Sequence, residues 1–124
     1  MKSSYILFGL AGVVIAGVIA IAVVKGNAPS PYDGFAECLA DSGAKMYGAW
    51  WCPHCKSQKE LFGNAFKKIN YLECSDANQN MTQQCKDEGV TGYPMWKFGD
   101  GSTLSGAQDF ETLSEKSSCE LPST

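Results

Sequence analysis

The pattern of apolar and polar residues divides the chain into an uncharged N-terminal block and a domain of short mixed elements. Residues 5–24 carry no charge, and twenty apolar residues in a helix match the thickness of a bilayer core. Further along, apolar positions recur at three- and four-residue steps in some segments, as in helices. In other segments they form short continuous runs, as in buried strands. We therefore predict a transmembrane signal anchor over 1–25, a linker over 26–31 and a folded domain over 32–124.

The domain is predicted to run helix, strand, helix, strand, helix, strand, strand, helix. The predicted helices cover 33–42, a segment from Pro53 to Ile69, 81–88 and 107–118, and the predicted strands cover 45–50, 71–74, the end of 90–98, and 102–105. The second helix has a clear apolar stripe at helical spacing. Its predicted core positions are Leu61, Phe62, Ala65, Phe66 and Ile69. This order predicts an α/β domain with a central mixed sheet flanked by helices.

The N-terminal span has two interpretations. A cleaved signal peptide has an apolar core of about 7–15 residues, and Ala20-Ile21-Ala22 resembles its cleavage site, but Val23 and Val24 continue the apolar run. A retained single-pass anchor therefore fits better. Lys2 before the span weakly favours an N-terminus on the cytoplasmic side. Six cysteines suit an oxidising compartment, so we expect the domain on the extracytoplasmic, periplasmic or luminal side.

Charge excludes one class of partner. All thirteen acidic residues but only eight of the ten lysines lie in 32–124, and the chain has no arginine. An acidic surface does not attract a polyanion, and no arginine is present to clamp phosphates. We expect no nucleic-acid binding, and we predict no cofactor and no metal ion.

The candidate chemistry lies in Cys52-Pro53-His54-Cys55, at the predicted junction of a strand and a helix. The amides and the positive dipole end of a helix N-terminus stabilise a thiolate, which is the nucleophilic form of cysteine. We expect the Cys52 sulfur to be accessible and activated, with Pro53 and His54 tuning its acidity, and Cys55 to lie one turn further in. Two alternatives stay open: half of a zinc site, which needs further ligands nearby, and a permanent disulfide.

This element order, with the CxxC after the first strand and Tyr93-Pro94 before the third, resembles the thioredoxin fold. The segments 45–63, 71–74 and 93–96, with Cys85, are similar to the thioredoxin-like domain fused to bacterial vitamin K epoxide reductase homologues. The sequence shows one candidate span rather than the four-helix quinone-reducing domain of that family. We therefore expect a split system, in which this chain is the thioredoxin-like half and a separate partner protein carries the quinone-reducing domain.

The resemblance implies specific roles. Cys52 would be the attacking cysteine and Cys55 the resolving one. Pro94 would be a cis-proline facing the CxxC, in a substrate groove shared with Tyr93 and Trp51; an ordinary trans turn is the alternative. Where thioredoxins have a buried aspartate beneath the pair, this chain has Met46. A buried proton acceptor for the resolving thiol is then expected to be missing, which suits oxidation of substrates.

The other four cysteines are expected to be structural. Cys74 ends a predicted strand and Cys85 lies in the next helix, so a bridge between them would close the intervening loop. A bridge between Cys38 and Cys119 would tie the first helix to the last, although four cysteines allow three pairings. In the alternative, an outer pair relays electrons to the CxxC.

The predicted function is oxidation of cysteines in secreted protein substrates, followed by reoxidation through a quinone-linked membrane partner of the vitamin K epoxide reductase type. The Pro-His pair between the cysteines is similar to that of DsbA, a strong oxidant. The alternatives are a disulfide reductase or isomerase, a non-catalytic thioredoxin-like binding module, and a metal chaperone using Cys52, His54 and Cys55.

Overall fold

The computed structural model of the protein describes residues 9, 12–18 and 28–122. Residues 12–18, part of the predicted span 5–24, are helical with exposed apolar side chains. Within the described ranges, no helix combines the length and apolar character needed to cross a membrane. Apart from residue 9, the rest of the predicted span lies outside the described residues, so the anchor over 1–25 stays a prediction, as does the linker over 26–31.

Four helices, a 3₁₀ helix and four strands follow residue 32. In chain order they are α1 (Asp33–Asp41), β1 (Lys45–Gly48), α2 (Pro53–Phe62), the 3₁₀ helix (Gly63–Lys68), β2 (Tyr71–Glu73), α3 (Gln83–Asp87), β3 (Met95–Lys97), β4 (Thr103–Ser105) and α4 (Phe110–Ser117). The strands form one sheet in the order β2-β1-β3-β4, with β1 and β2 parallel and the other pairs antiparallel. This mixed sheet with flanking helices confirms the α/β class and is compatible with a thioredoxin-like fold.

The second helix ends at Phe62, so the prediction that it extends to Ile69 is wrong. Gly63 has a φ of 57°, a left-handed conformation that glycine adopts without steric cost, and the chain continues as the 3₁₀ helix. Leu61 was predicted to lie in the core but is 42% exposed. The reason is geometric: Cys55, Gln58 and Phe62 define the buried face of α2, and Leu61 lies about 100° from its neighbour Phe62 around the helix axis.

Two other helices begin later than predicted, because capping side chains set their first residues. Asp109 caps α4 by accepting the Thr112 amide at 2.8 Å, so this helix begins at Phe110 rather than 107. Thr82 caps α3 through the Cys85 amide at 3.4 Å, so this helix begins at Gln83 rather than 81. Hydroxyl and carboxylate caps of this kind satisfy amides that have no partner within the helix.

The sheet separates two apolar clusters because successive side chains of a strand point to opposite faces. The first cluster joins one face of the sheet to α1, α2 and α4, and it includes Leu39, Met46, Cys52, Cys55, Phe62, Trp96 and Leu113. The second, smaller cluster lies on the other face and consists of Tyr47, Cys74, Cys85, Val90 and Met95. The CxxC therefore packs against the larger cluster, and the Cys74–Cys85 pair against the smaller one.

Candidate active site

The CxxC forms the first turn of α2, directly after the loop that leaves β1. Cys52 is the N-cap residue with extended backbone angles, and Pro53 occupies the first helical turn, where a missing N–H costs nothing. The Cys52 Sγ accepts a hydrogen bond from the Cys55 amide at 3.2 Å. A thiolate would strengthen this bond, since charged acceptors form stronger hydrogen bonds than neutral ones. The sequence-predicted contact between Cys52 and a helix N-terminus is thus present.

Cys52 is less accessible to solvent than the sequence predicts. The residue is 5% exposed, because its side chain turns inward to meet the Cys55 amide and packs in the first apolar cluster. Cys55 is 1% exposed, whereas Pro53 and His54 between them are exposed. Both cysteines are free thiols in the structure. Cys52 is therefore the more reachable of two largely buried sulfurs.

The thiol of Cys55 is held in its protonated form. Burial raises the pKa of Cys55 to about 12, and the contact with Cys52 acts in the same direction. A backbone hydrogen bond to Ala49 and the charge of Lys59 oppose this shift without reversing it. Cys55 therefore needs a proton acceptor before it can act as a nucleophile.

The residues predicted to form the substrate groove come together beside the CxxC. The Tyr93–Pro94 peptide bond is cis, and Pro94 is fully buried. Because Tyr47 in β1 pairs with Met95 in antiparallel β3, the start of β3 lies beside the end of β1, where the chain leaves for the CxxC. The Trp51 and Tyr93 rings meet edge-on with centroids 5.8 Å apart.

Hydrogen bonds fix the two tryptophans that precede Cys52. The Trp51 indole N–H donates to the Ser75 Oγ at 2.8 Å, and the Trp50 indole N–H donates to the Asp76 carbonyl at 3.1 Å. The side chains are nevertheless 57% exposed for Trp50 and 39% exposed for Trp51. The two indoles therefore form an anchored but exposed aromatic surface next to Cys52.

Tyr71 and Glu73, which the sequence predicts only as strand residues, also lie at this site. The Tyr71 hydroxyl donates to the Glu73 Oε2 at 2.6 Å, and β2 pairs with β1 so that Tyr71 lies beside Met46 and Glu73 beside Gly48. Met46 is fully buried and apolar, so no proton acceptor stands at that position, as expected; Glu73 reaches the same face of the sheet from β2. The two-residue spacing predicts that Tyr71 and Glu73 share one face of a strand, but it does not tell which face of the sheet that is.

The remaining four cysteines form two disulfides. Cys38 is bonded to Cys119 across 81 residues of sequence, which links α1 to the segment after α4. Cys74 is bonded to Cys85 across 11 residues, and both are fully buried on the sheet face opposite the CxxC. This is the pairing preferred from the sequence. Within the described part of the chain, no three His, Cys, Asp or Glu side chains are grouped as metal ligands.

Sequence comparison adds a named relative. The chain is similar to the thiol-disulfide oxidoreductase LTO1 of Arabidopsis thaliana, with 42% identity over 95 residues. The match covers 72% of this chain and 25% of the relative, so the chain spans about a quarter of the length of that curated protein. No protein-family profile matches the chain.

Proposed function

We propose that this protein is a membrane-anchored, extracytoplasmic thiol–disulfide oxidoreductase that oxidises cysteines of protein substrates through Cys52 and Cys55. The observation that carries the proposal is the arrangement of the two sulfurs: the Cys52 Sγ caps α2 and accepts the Cys55 amide, while burial keeps the Cys55 thiol protonated. Such asymmetry lets one cysteine exchange disulfides with a partner and the other resolve the product. The similarity to a protein named thiol-disulfide oxidoreductase supports the same activity.

The reaction begins from the Cys52–Cys55 disulfide. A substrate thiolate attacks the Cys52 Sγ, a substrate–Cys52 disulfide forms, and Cys55 leaves with the electron pair and takes up a proton. A second substrate thiolate then attacks the substrate sulfur of this mixed disulfide and releases Cys52 as a thiolate. The substrate is oxidised by two electrons, and the CxxC is reduced to a dithiol.

Two features support the oxidising direction. The Pro-His pair between the cysteines is similar to that of a strong oxidant. The two disulfides elsewhere in the domain suit an oxidising compartment, where such bonds persist. Reoxidation of the dithiol is assigned to a quinone-linked membrane partner of the vitamin K epoxide reductase type, on the strength of the resemblance in the sequence. Cysteine-containing proteins outside the cytoplasm are the proposed substrates.

A redox titration tests the direction. The purified domain is equilibrated with mixtures of reduced and oxidised glutathione, and the state of Cys52 and Cys55 is determined by alkylation and mass spectrometry. We expect a potential between about −120 mV, as in DsbA, and about −200 mV. A value near −270 mV, as in thioredoxin, would instead identify a reductase.

A trapping experiment separates catalysis from simple binding. In the Cys55→Ser variant, Cys52 has no resolving partner, so mixed disulfides with substrates should accumulate. A Cys52→Ser variant serves as the matched control and should form none. Equal capture by both variants, insensitive to reductant, would indicate a non-catalytic binding module. Zinc or copper that co-purifies stoichiometrically and is lost in Cys52→Ser would indicate a metal chaperone.

The membrane anchor and its orientation have their own test. Full-length protein expressed in cells with an accessible periplasm is extracted with alkaline carbonate, and its thiols are probed with a membrane-impermeant maleimide. We expect retention in the membrane pellet and labelling in intact cells after reduction. Release into the supernatant at a reduced mass would show that the signal segment is cleaved.

A further inference from the structure

Tyr71 and Glu73 form a hydrogen-bonded pair on the face of the sheet that α2 covers. The Tyr71 hydroxyl donates to the Glu73 Oε2 at 2.6 Å. The other carboxylate oxygen, Oε1, accepts the backbone amides of Trp50 at 2.9 Å and Ser75 at 3.2 Å. The amide of Trp50 belongs to the loop that delivers Cys52. The carboxylate is therefore held in one orientation by the segment that carries the reactive cysteines.

Gly48 brings this pair next to the resolving cysteine. A Cβ atom at Gly48 would lie 3.0 Å from the Tyr71 Oη and 3.2 Å from the Cys55 Sγ. The hydroxyl and the sulfur therefore both pack over the backbone of Gly48, and they can do so because residue 48 has no side chain. A phenolic hydroxyl can donate and accept a proton, and this one lies close enough to Cys55 to interact with it electrostatically.

The chemistry of Cys55 requires such a group. Its thiol must lose a proton whenever it attacks a mixed disulfide at Cys52, and burial raises its pKa to about 12. The residue six positions before Cys52 is Met46, which cannot accept a proton. Burial, followed by the hydrogen bond to Glu73, raises the pKa of Tyr71 well above its usual range, so the phenol keeps a proton and acts as a relay rather than as a base.

We propose that Tyr71 passes the proton of Cys55 to Glu73 in the step that closes the Cys52–Cys55 disulfide. This inference rests on the proposed oxidoreductase function. In that step, the Cys55 Sγ–H proton goes to the Tyr71 Oη, while the Tyr71 hydroxyl proton goes to the Glu73 Oε2. The Cys55–Cys52 bond forms, the bond between Cys52 and the oxidant sulfur breaks, and the oxidant leaves as a thiolate that water protonates. The proton on Glu73, a partly exposed residue, returns to solvent.

Other charged or titratable groups face this site from the surrounding elements. On α2, the Lys59 ammonium lies 4.2 Å from the Tyr71 ring centroid, and its charge favours ionisation of Cys55. Cys52 lies at the start of the same helix. Tyr93, from the loop before β3, interacts electrostatically with both Glu73 and Cys55. Among these groups, only Glu73 is a carboxylate, which accepts hydrogen bonds and can bind a proton.

The test separates the two steps of oxidation by glutathione disulfide. Reduced protein is mixed with glutathione disulfide, samples are quenched with acid, and the mixed disulfide and the closed disulfide are quantified by mass between pH 6 and 9. We expect Tyr71→Phe and Glu73→Gln to slow closure at pH 7 at least tenfold and to accumulate mixed disulfide. The rate at which Cys52 first reacts should stay within twofold of wild type.

The pH profile distinguishes proton transfer from a structural role. In both variants hydroxide must replace the relay, so the closure rate should rise about tenfold per pH unit, whereas the wild-type profile should be shallower. Glu73→Asp restores a carboxylate and should recover part of the rate at pH 7. Glu60→Gln, which removes an exposed carboxylate from α2, is the charge-matched control and should behave as wild type.

Three results would overturn the proposal. Closure rates within twofold of wild type in both variants would show that the pair does not move the proton. Slow closure in Tyr71→Phe with normal closure in Glu73→Gln would show that the carboxylate is not the acceptor. Wild-type protein that forms no mixed disulfide with glutathione would refute the proposed function itself, and the relay with it. Thermal unfolding of the reduced variants verifies that each is folded at the assay temperature.

Discussion

The Trp51 indole and the Tyr93 phenol ring meet edge-on, with ring centroids 5.8 Å apart, although 42 residues separate them in sequence. Trp51 belongs to the loop before α2, and Tyr93 to the loop before β3. Their contact holds these two loops together at the end of the sheet where β1 finishes and β3 begins. One loop carries Cys52 and the other carries the buried Pro94, so the ring pair lies between them, on the surface that we propose as the substrate groove.

Truncation of either ring should weaken substrate binding more than disulfide chemistry. Edge-to-face aromatic pairs contribute about 0.5–1.5 kcal/mol beyond their buried area. We expect Trp51→Ala and Tyr93→Ala to raise the KM for a cysteine-containing peptide about fivefold to tenfold and to leave oxidation of dithiothreitol within twofold of wild type. Leu61→Ala, which removes an exposed apolar side chain from α2 instead of from these loops, is the control. Equal losses with the peptide and with dithiothreitol would argue against a role in the groove.

The raised pKa of Cys55 predicts the pH dependence of its alkylation. Iodoacetamide reacts with thiolates, and with a pKa of about 12 the thiolate fraction grows about tenfold per pH unit from pH 7 to 10. An ordinary cysteine, with a pKa of about 8.5, would instead level off near pH 9 to 10. We expect the steep profile for Cys55 in folded Cys52→Ser protein, where burial still acts, and the ordinary profile in urea. A plateau near pH 9 in the folded variant would contradict the burial argument.

The sequence predicted the parts of the site that depend on local spacing. The CxxC at a helix start, with Pro53 in the first turn, follows from the residues themselves, and the periodicity of 33–42 predicted α1 nearly to its ends. The end of α2 depended on Gly63 adopting a positive φ, which the apolar stripe running past it obscured. A glycine after an apolar helical face favours the end of a helix, and at Gly63 this effect prevails over the apolar stripe.

The Tyr71–Glu73 pair could not be found from local spacing alone. Its position next to Cys55 depends on the register of β2 against β1, which places Glu73 beside Gly48. Three-residue strands carry too few side chains to fix a register from sequence, since a slip by one residue would turn Glu73 to the other face. The position of the Glu73 carboxylate near Cys55 therefore follows only from the assembled sheet.

The two structural disulfides should differ in their contribution to stability. In the chain-entropy model the free energy of a cross-link grows with the length of the closed loop, which predicts about 4.5 kcal/mol for Cys38–Cys119 and about 3 kcal/mol for Cys74–Cys85. Urea unfolding of the two double serine variants measures these losses. A smaller loss for the longer loop would point to residual structure in the unfolded chain.

The same variants test the electron-relay alternative. Cys74 and Cys85 pack on the sheet face opposite the CxxC, so their removal should leave the glutathione reactions of Cys52 within twofold of wild type, provided that the variant is folded. The Cys38/Cys119 double variant should behave in the same way. Loss of turnover in either folded variant would show that an outer pair passes electrons to the active pair.

Gln58 should contribute to stability through the polar contacts that it makes inside the core. The side chain is 1% exposed, and its Oε1 accepts the Trp96 indole N–H at 3.1 Å and the Gln108 amide at 2.7 Å. Its Nε2 donates to the Gln108 carbonyl at 3.0 Å. These bonds tie the CxxC helix to β3 and to the loop before α4. Gln58→Leu preserves the volume but leaves buried groups without partners.

Each buried polar group left unpaired costs about 1–3 kcal/mol, so we expect Gln58→Leu to lower the free energy of unfolding by about 2–4 kcal/mol. Gln83→Leu changes the same residue type at an exposed position and should stay within about 0.5 kcal/mol of wild type. Both are measured by urea unfolding with the disulfides intact. Equal stability of the two variants would mean that an apolar contact replaces the hydrogen bonds without loss, and that the α2 position depends on packing alone.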